Sequence, residues 1–489
     1  MISATYLLTA VAVLAVTVLF WISRRRYKLP PGPIGLPFLG YAPFLSDDSY
    51  KDFYELSKKY GNVFSLYLGR SLFVILNDFK SVKEAFNQAA ALDRPAHAFD
   101  AMPDKIGFAG HNGEEWIEQR RYTMRAMRDI GMGKGEFDKN LEDEVREFVS
   151  FVEQNAGRPY DPYDALSASV SNNITTLIFG KRLPMGDPGR QLMNEGVEAA
   201  AQSFKPGGLA NLAPSLLRFL AAIGLTSHAK YRKQMLAFNQ YLKKEIEKRR
   251  KHLNESGGEI FIDSFLKEIE KNKGKPTTNF HEKNMIGNAQ ALVIGGSETT
   301  RTSLLWLLIA LVEYPEVQKK VQEEIDSVIG REGKCHWQER AKLPYTYATV
   351  MEGQRWRSVT PLNVIHSAGG DFKIGDYDVP KGANIIANNW AIHMNPDNWK
   401  SPEKFIPERF LLEDKSVTMQ RPENYIPFSV GRRSCPGEFV ALIEIFQYLQ
   451  AIMQKFTVQA PHNKKMDVSG EFGTVFQPHR QEFLFLIRD

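Results

Sequence analysis

The chain has 489 residues, of which 43% are hydrophobic, 11% aromatic and 24% charged, a balance that excludes a disordered, collagen-like or low-complexity protein. Lys and Arg total 62 against 57 Asp and Glu, a net +5, too small a surplus over this length to argue for nucleic-acid binding. Two cysteines, Cys335 and Cys435, exclude a disulfide framework and a Cys-rich zinc site and suit a reducing compartment.

Residues Ile2 to Ile22 carry no charged side chain, and Arg24, Arg25, Arg26 and Lys28 follow at once. As a helix that stretch rises about 30 Å, the thickness of a bilayer's hydrocarbon core. A cleaved signal peptide would place its positive charge first and use a shorter apolar run. The pattern therefore predicts a transmembrane anchor over 2–22, with the rest of the chain on the cytosolic face. In that topology the sequons at Asn173 and Asn254 stay unglycosylated.

Residues 23–40 form a basic, proline-rich hinge. Lys28 to Gly40 contains Pro30, Pro31, Pro33 and Pro37, which cannot form helix and act as a stiff spacer. No internal repeat or second linker divides residues 41–489, so they are expected to form one catalytic domain.

Within that body, Val63 to Leu76 alternates around Gly69-Arg70 and predicts a β-hairpin. A second strand region is expected from Phe372 to Asn388, with turns at Gly375-Asp376 and Pro380-Lys381-Gly382. Helical periodicity marks Glu114 to Arg128, Tyr231 to His252, His281 to Tyr314, Pro315 to Gly330, Leu343 to Ser358 and Gly437 to Phe456. The expected class is mainly α with small β-sheet regions. Lys205 to Thr226, rich in Leu and interrupted by Pro206 and Pro214, reads either as a buried inter-helix segment or as an apolar lip on a membrane.

Chemistry concentrates at Pro427 to Ala441, PFSVGRRSCPGEFVA. Cys435 stands just before a helix, where backbone N–H groups and the positive dipole end are expected to lower a thiol's pKa, with Arg432 and Arg433 adding charge. A thiolate there serves as nucleophile or metal ligand. Cys335 reads as a small buried hydrophobe.

Phe428, Gly431, Arg433, Cys435 and Gly437 resemble the F-x-x-G-x-R-x-C-x-G loop of the cytochrome P450 monooxygenases. The resemblance implies a cytochrome P450 fold, a haem b whose iron takes the Cys435 thiolate, and Phe428 and Gly437 shaping the cofactor loop. Other segments resemble the family in the same order. GGSETT, Gly295 to Thr300, is similar to its oxygen-activating stretch, which implies that Thr299 and Glu298 deliver protons. Gly295 stands where the family often has alanine, implying more room beside the cofactor. Glu352 and Arg355 resemble E-x-x-R, with Arg409 of Pro407-Glu408-Arg409-Phe410 completing a structural network. Trp116 and Arg120 resemble W-x-x-x-R, a pair that binds haem propionates; Arg94, His366 and Arg433 are implied as further propionate partners. Arg121, Arg125 and Arg128 form a second face suited to an acidic electron-donor protein.

The hinge and NGEEWIEQRR are similar to the animal microsomal branch. That branch implies a single-pass protein of the endoplasmic reticulum membrane, fed with NADPH electrons by cytochrome P450 reductase and in some cases by cytochrome b5. The implied reaction inserts one oxygen atom from O2 into a lipophilic small molecule, by hydroxylation or epoxidation. Resemblance and loop position suggest Phe99, Met102, Phe204, Leu209, Ile294, Gly295, Val359, Asn363, Val475 and Phe476 as pocket residues, with Asn363 offering a polar contact. Two alternatives stay open: a haem-thiolate isomerase or dehydratase that does not use O2, and a non-enzymatic membrane-anchored haem or sterol-binding protein.

Overall fold

The computed structural model describes residues 27–95, 107–130, 136–180, 182–184, 187–201, 227–251, 260–412, 420–461 and 464–488. The expected anchor at 2–22, the start of the hinge, all of Lys205 to Thr226, and Asn254 lie outside them. No helix among the described residues is long and apolar enough to cross a membrane.

The chain begins with α1 (Ser49–Tyr60) and the expected hairpin, β1 (Val63–Leu68) and β2 (Ser71–Leu76), paired antiparallel about Gly69 at φ +60°. There follow α2 (Phe79–Phe86), α3 (Gly113–Asp129), α4 (Glu136–Glu153), β3 (Pro159–Tyr160), α5 (Tyr163–Phe179), α6 (Pro188–Ala201), α7 (Ser227–Lys251) and α8 (Phe261–Lys271). The long central helix α9 (Glu282–Glu313) leads directly into α10 (Pro315–Val328), because Pro315 cannot continue the helix before it but fits the first turn of the next. Next come α11 (Pro344–Trp356), the strands β4 (His366–Ser367), β5 (Phe372–Ile374), β6 (Tyr377–Val379) and β7 (Asn384–Ala387), and the short α12 (Asn389–His393). The chain closes with α13 (Glu438–Lys455), β8 (Phe456–Gln459), β9 (Gly470–Phe472), β10 (Phe476–Pro478) and β11 (Phe483–Ile487).

The six helices expected from periodicity all form, with ends within a few residues of those predicted. Sheet partnership differs from the expectation in one respect. Only β5 and β6 make the local hairpin; β7 runs parallel to β2 in a four-stranded sheet ordered β1-β2-β7-β4. The apolar run Asn384–Ala387 is buried throughout, and burial on both faces favours a central strand over a hairpin edge.

The core is helical. α9 packs against α5, α6, α11 and α13, and Leu304 to Leu311 are all nearly inaccessible to solvent. Around α9 the apolar side chains form a continuous cluster, whereas the four-stranded sheet and the β5–β6 hairpin gather a separate one containing Val74, Phe86, Ile385 and Ile426. The segment after Ile426 leaves this second cluster and enters the cysteine loop.

Candidate haem site

Cys435 ends a tight loop held by its own backbone. The Cys435 N–H donates to the Phe428 carbonyl at 2.8 Å, Ser429 N–H to Ile426 at 3.0 Å and Ser434 N–H to Gly431 at 3.1 Å. Ser429 and Gly431 both take left-handed φ values, +63° and +78°. Gly431 is required twice over, since a Cβ there would sit 2.5 Å from the Phe86 carbonyl oxygen. Gly437 passes close to the sulfur, its would-be Cβ 3.9 Å from Sγ.

The thiol departs from the sequence expectation. Backbone N–H groups of Gly437 and Glu438, with Arg120, do lower its pKa, but burial outweighs them and pushes it up to about 11. Cys435 is exposed, yet the protein packed around it dehydrates the thiol enough to govern its titration. A thiolate at this position needs a cation directly on the sulfur, as a coordinated metal supplies. Arg432 and Arg433 do not provide it. Arg433 lies 3.9 Å over the Trp116 ring and directs its nitrogens to the carbonyls of Leu92 and His111, at 2.7 and 2.6 Å. Cys335 is buried, as expected, with its thiol also raised to about 11.

Beside the loop the structure gathers three guanidinium groups. Arg94 donates to the carbonyls of Val364 and Ile365 at 2.8 and 2.7 Å, and Arg120 to that of Ser434 at 2.6 Å. Burial and mutual repulsion lower Arg94 to about 9 and Arg433 to about 8, and burial lowers Arg120; Asp93 offsets the effect only partly at Arg433. Arg94 Nε and the buried Trp116 Nε1 have no hydrogen-bond partner among the described residues. Three partly dehydrated cations with spare N–H donors fit a dianionic ligand, and the carboxylates of a haem satisfy that need.

His366 is buried and stacked 3.9 Å from the Phe86 ring. Its Nδ1 must donate to the Ala91 carbonyl, 2.8 Å away, and burial, with Arg94 and Arg433 nearby, holds its pKa well below the usual value. The neutral ring therefore presents a lone pair at Nε2. In that state the ring suits accepting a hydrogen bond at Nε2.

On α9, Thr299 Oγ1 donates to the Gly295 carbonyl at 2.7 Å and Ser303 Oγ to the Thr299 carbonyl at 2.8 Å. The two glycines differ. A Cβ on Gly295 meets nothing within 4 Å, as the expectation of extra room requires, whereas one on Gly296 would meet Ile174 Cδ1 at 2.7 Å. Glu298 points elsewhere than Thr299, because neighbouring helical residues diverge by about 100°. Its buried Oε1 accepts from Arg301 at 2.8 Å, and Oε2 has no partner among the described residues. Burial raises its pKa. Arg301, with Tyr163, Ser167, Asn194, Glu198 and Ser297, lines a polar cavity of about 80 Å³ between α5, α6 and α9.

The E-x-x-R residues form a fully buried network. Arg355 grips Glu352 with Nε to Oε2 at 2.7 Å and Nη2 to Oε1 at 2.8 Å; Arg409 Nε and the Ile406 N–H reach the same Oε1 at 3.1 and 2.8 Å. Arg355 Nη1 also donates to the carbonyl of His393 at 2.9 Å. Arg121, Arg125 and Arg128 are exposed on α3, as their spacing suggests.

Two suggested pocket residues also make structural contacts. Asn363, at φ +54°, donates to Ser429 Oγ at 2.7 Å and accepts from the Val364 N–H at 2.7 Å, so its amide braces the cysteine loop. Phe476 stacks on Trp306 with ring centres 5.2 Å apart, and its N–H donates to the Val359 carbonyl. Ile294 and Val359 are half-buried against the main core and Val475 is buried. Phe99, Met102, Phe204 and Leu209 lie outside the described residues. His393, which no motif flags, sits between the E-x-x-R network and the cysteine loop.

Comparison with known proteins agrees with this geometry. The cytochrome P450 family model matches residues 30–485. Human cytochrome P450 2J2 is 35% identical over 470 residues, covering 94% of this chain and 91% of that protein. Goat cytochrome P450 2F3 is 32% identical, with 98% of each covered, and cytochrome P450 18a1 of Drosophila melanogaster 31%, with 95% and 88% covered. The chain belongs to the cytochrome P450 family and is a haem-dependent monooxygenase.

Proposed function

We propose that the protein is a membrane-anchored haem-thiolate monooxygenase of the endoplasmic reticulum. In this reading it hydroxylates or epoxidises a lipophilic small molecule with electrons from NADPH–cytochrome P450 reductase, and in some turnovers from cytochrome b5. One observation carries the site assignment: the dehydrated guanidinium groups of Arg94, Arg120 and Arg433 gather beside the loop that presents Cys435, with Arg433 over the Trp116 ring. Cys435 is the ligand of the iron, Trp116, Arg94 and Arg120 hold the propionates, and Phe428 and Gly437 shape the loop beneath. Bound haem supplies the activation of O2 and the transfer of one oxygen atom to substrate.

The chain's own residues position and protonate. Thr299, tethered to the Gly295 carbonyl, holds a hydroxyl proton on the wall of the site. Glu298 stands one residue away on the adjoining face, with a raised pKa suited to passing protons inward. Ile294 and Gly295 bound the substrate space. The uncharged run 2–22 followed by four cationic residues supports the anchor and its cytosolic body. The exposed Arg121, Arg125 and Arg128 support docking of an acidic electron donor.

The carbon monoxide difference spectrum of dithionite-reduced protein tests this reading, wild type beside Cys435→His. A red-shifted Soret band lost in the variant is expected. A folded wild type without that band sinks the assignment.

A further inference from the structure

His393 closes α12 and is completely inaccessible to solvent. Both ring nitrogens are engaged. Nε2 accepts the backbone N–H of Ile426 at 3.0 Å, and Nδ1 lies 2.7 Å from Ser358 Oγ. A backbone N–H can only donate, so Nε2 carries the lone pair and Nδ1–H donates to Ser358. The hydrogen bonds themselves select the tautomer.

The neighbourhood holds the ring neutral. Arg355 on α11 donates to the His393 carbonyl at 2.9 Å, and its charge is matched by Glu352. Tyr425 stacks on the imidazole with ring centres 6.0 Å apart, and its hydroxyl donates to Gln354 on α11 at 2.6 Å. Trp399 meets the ring edge-on. Burial, then Arg355, drops the His393 pKa to about 3.

Ile426 is the residue from which the cysteine loop departs. Its carbonyl accepts from Ser429, and two residues on, the Phe428 carbonyl accepts from Cys435. Ile426 N–H is the point where this run of bonds attaches to α11 and α12. A buried backbone donator of this kind has no alternative partner, so losing its acceptor leaves it unsatisfied.

We propose that His393 is a positioning residue for the iron–sulfur bond: as a neutral Nδ1–H imidazole it anchors the Ile426 N–H, joining the Glu352–Arg355 network to the loop that presents Cys435. This rests on Cys435 being the iron ligand. Without the anchor the loop slackens and the sulfur drifts, although haem stays bound through its propionates. Nothing in the motifs identifies this contact, because its partners are a backbone amide and a serine from distant segments.

The test compares His393→Phe, His393→Asn and His393→Gln with wild type in the haem-loaded full chain. Gln can place an amide oxygen near the Nε2 position and accept from Ile426; Asn reaches only toward Ser358, and Phe keeps the ring without an acceptor. The readout is the rate at which the red-shifted Soret band of the reduced carbonyl complex converts to an unshifted one at fixed temperature. Phe and Asn are expected to convert roughly tenfold faster, the scale of one lost buried hydrogen bond, with Gln close to wild type. Amide exchange at Ile426 should accelerate in the same two variants. Equal rates in all four proteins, or losses in all three variants that merely track thermal stability, overturn the proposal. Should the Phe and Asn variants fail to fold, Ser358→Ala decides: it strips the acceptor from Nδ1–H and so loosens the ring that holds the Ile426 N–H, and faster conversion supports the role while an unchanged rate overturns it. A wild type without the shifted band would instead overturn Cys435 as the ligand.

Discussion

Thr299 Oγ1 donates to the carbonyl of Gly295 at 2.7 Å, one turn earlier on α9. A Cβ on Gly295 would meet nothing within 4 Å, so the carbonyl that holds the hydroxyl belongs to a residue facing open space. Thr299→Ala removes the hydroxyl from a half-buried position and leaves packing almost unchanged. The expected result is a normal haem spectrum with product formed per NADPH falling roughly a hundredfold, the low end of a general acid–base contribution. Thr299→Ser should retain most of the coupling. Product-to-NADPH ratios, with hydrogen peroxide as the balancing product, check both.

Gly295 and Gly296 make opposite predictions although they are adjacent. Gly295→Ala meets no atom within 4 Å and gains helix propensity, worth up to about 1 kcal/mol. Gly296→Ala drives a methyl against Ile174 Cδ1, 2.7 Å from the added carbon, and overpacking of this kind costs about 1–3 kcal/mol. Thermal unfolding should therefore rise or hold for the first and fall for the second. Ile174→Ala should relieve part of the Gly296→Ala defect in the double variant.

The buried charge network and a surface pair separate by burial. Arg355→Ala strips Glu352 of its two-point partner and leaves it the single ion pair with Arg409, where the Glu352 and Arg355 side chains are both wholly inaccessible, a change expected to cost about 3–5 kcal/mol and to abolish haem incorporation. Arg480 pairs with Asp161 at 2.9 Å and Asp164 at 2.7 Å, but half of its side chain is exposed. Arg480→Ala is expected to cost about 1 kcal/mol or less. Urea unfolding, alongside haem content after purification, distinguishes them.

Glu444 predicts a pH dependence. It is fully buried on α13 and its pKa is raised well above the usual carboxylate value, chiefly by burial; Asn173 and Thr300 pull it weakly the other way without reaching hydrogen-bonding geometry. Above its ordinary pKa the unfolded chain releases this proton while the folded chain keeps it. The folded state then binds more protons, so this group's contribution to stability falls as pH rises. Glu444→Gln removes that linkage. The difference in melting temperature, variant minus wild type, should grow between pH 5 and pH 8, as calorimetry at several pH values would register.

Much of the site was readable before the fold was known. Cys435, Glu352, Arg355, Thr299 and Trp116 lie in short motifs whose partners sit within a few residues, and short-range spacing survives in a sequence. The pairing of β7 with β2 was not readable, because a parallel partner three hundred residues away leaves no local trace. The bond from Asn363 to Ser429 was unreadable for a similar reason: the partner lies 66 positions on. The expected low pKa of Cys435 counted the helix-end N–H groups correctly, but took its cation from Arg432 and Arg433 where Arg120 acts, and missed the density of protein around the sulfur.

The amino-acid sequence alone determined the helical elements, the cysteine loop and the family, because periodicity, glycine placement and motif order are local properties of a chain. Tertiary structure alone decided which charges meet. It turned Arg433 onto Trp116, sent Glu298 to Arg301, set the tautomers of His366 and His393, and placed His393 beneath the cysteine loop. Those outcomes depend on burial and on contacts between distant segments, and dehydration there outweighs the local dipoles and charges that a sequence displays.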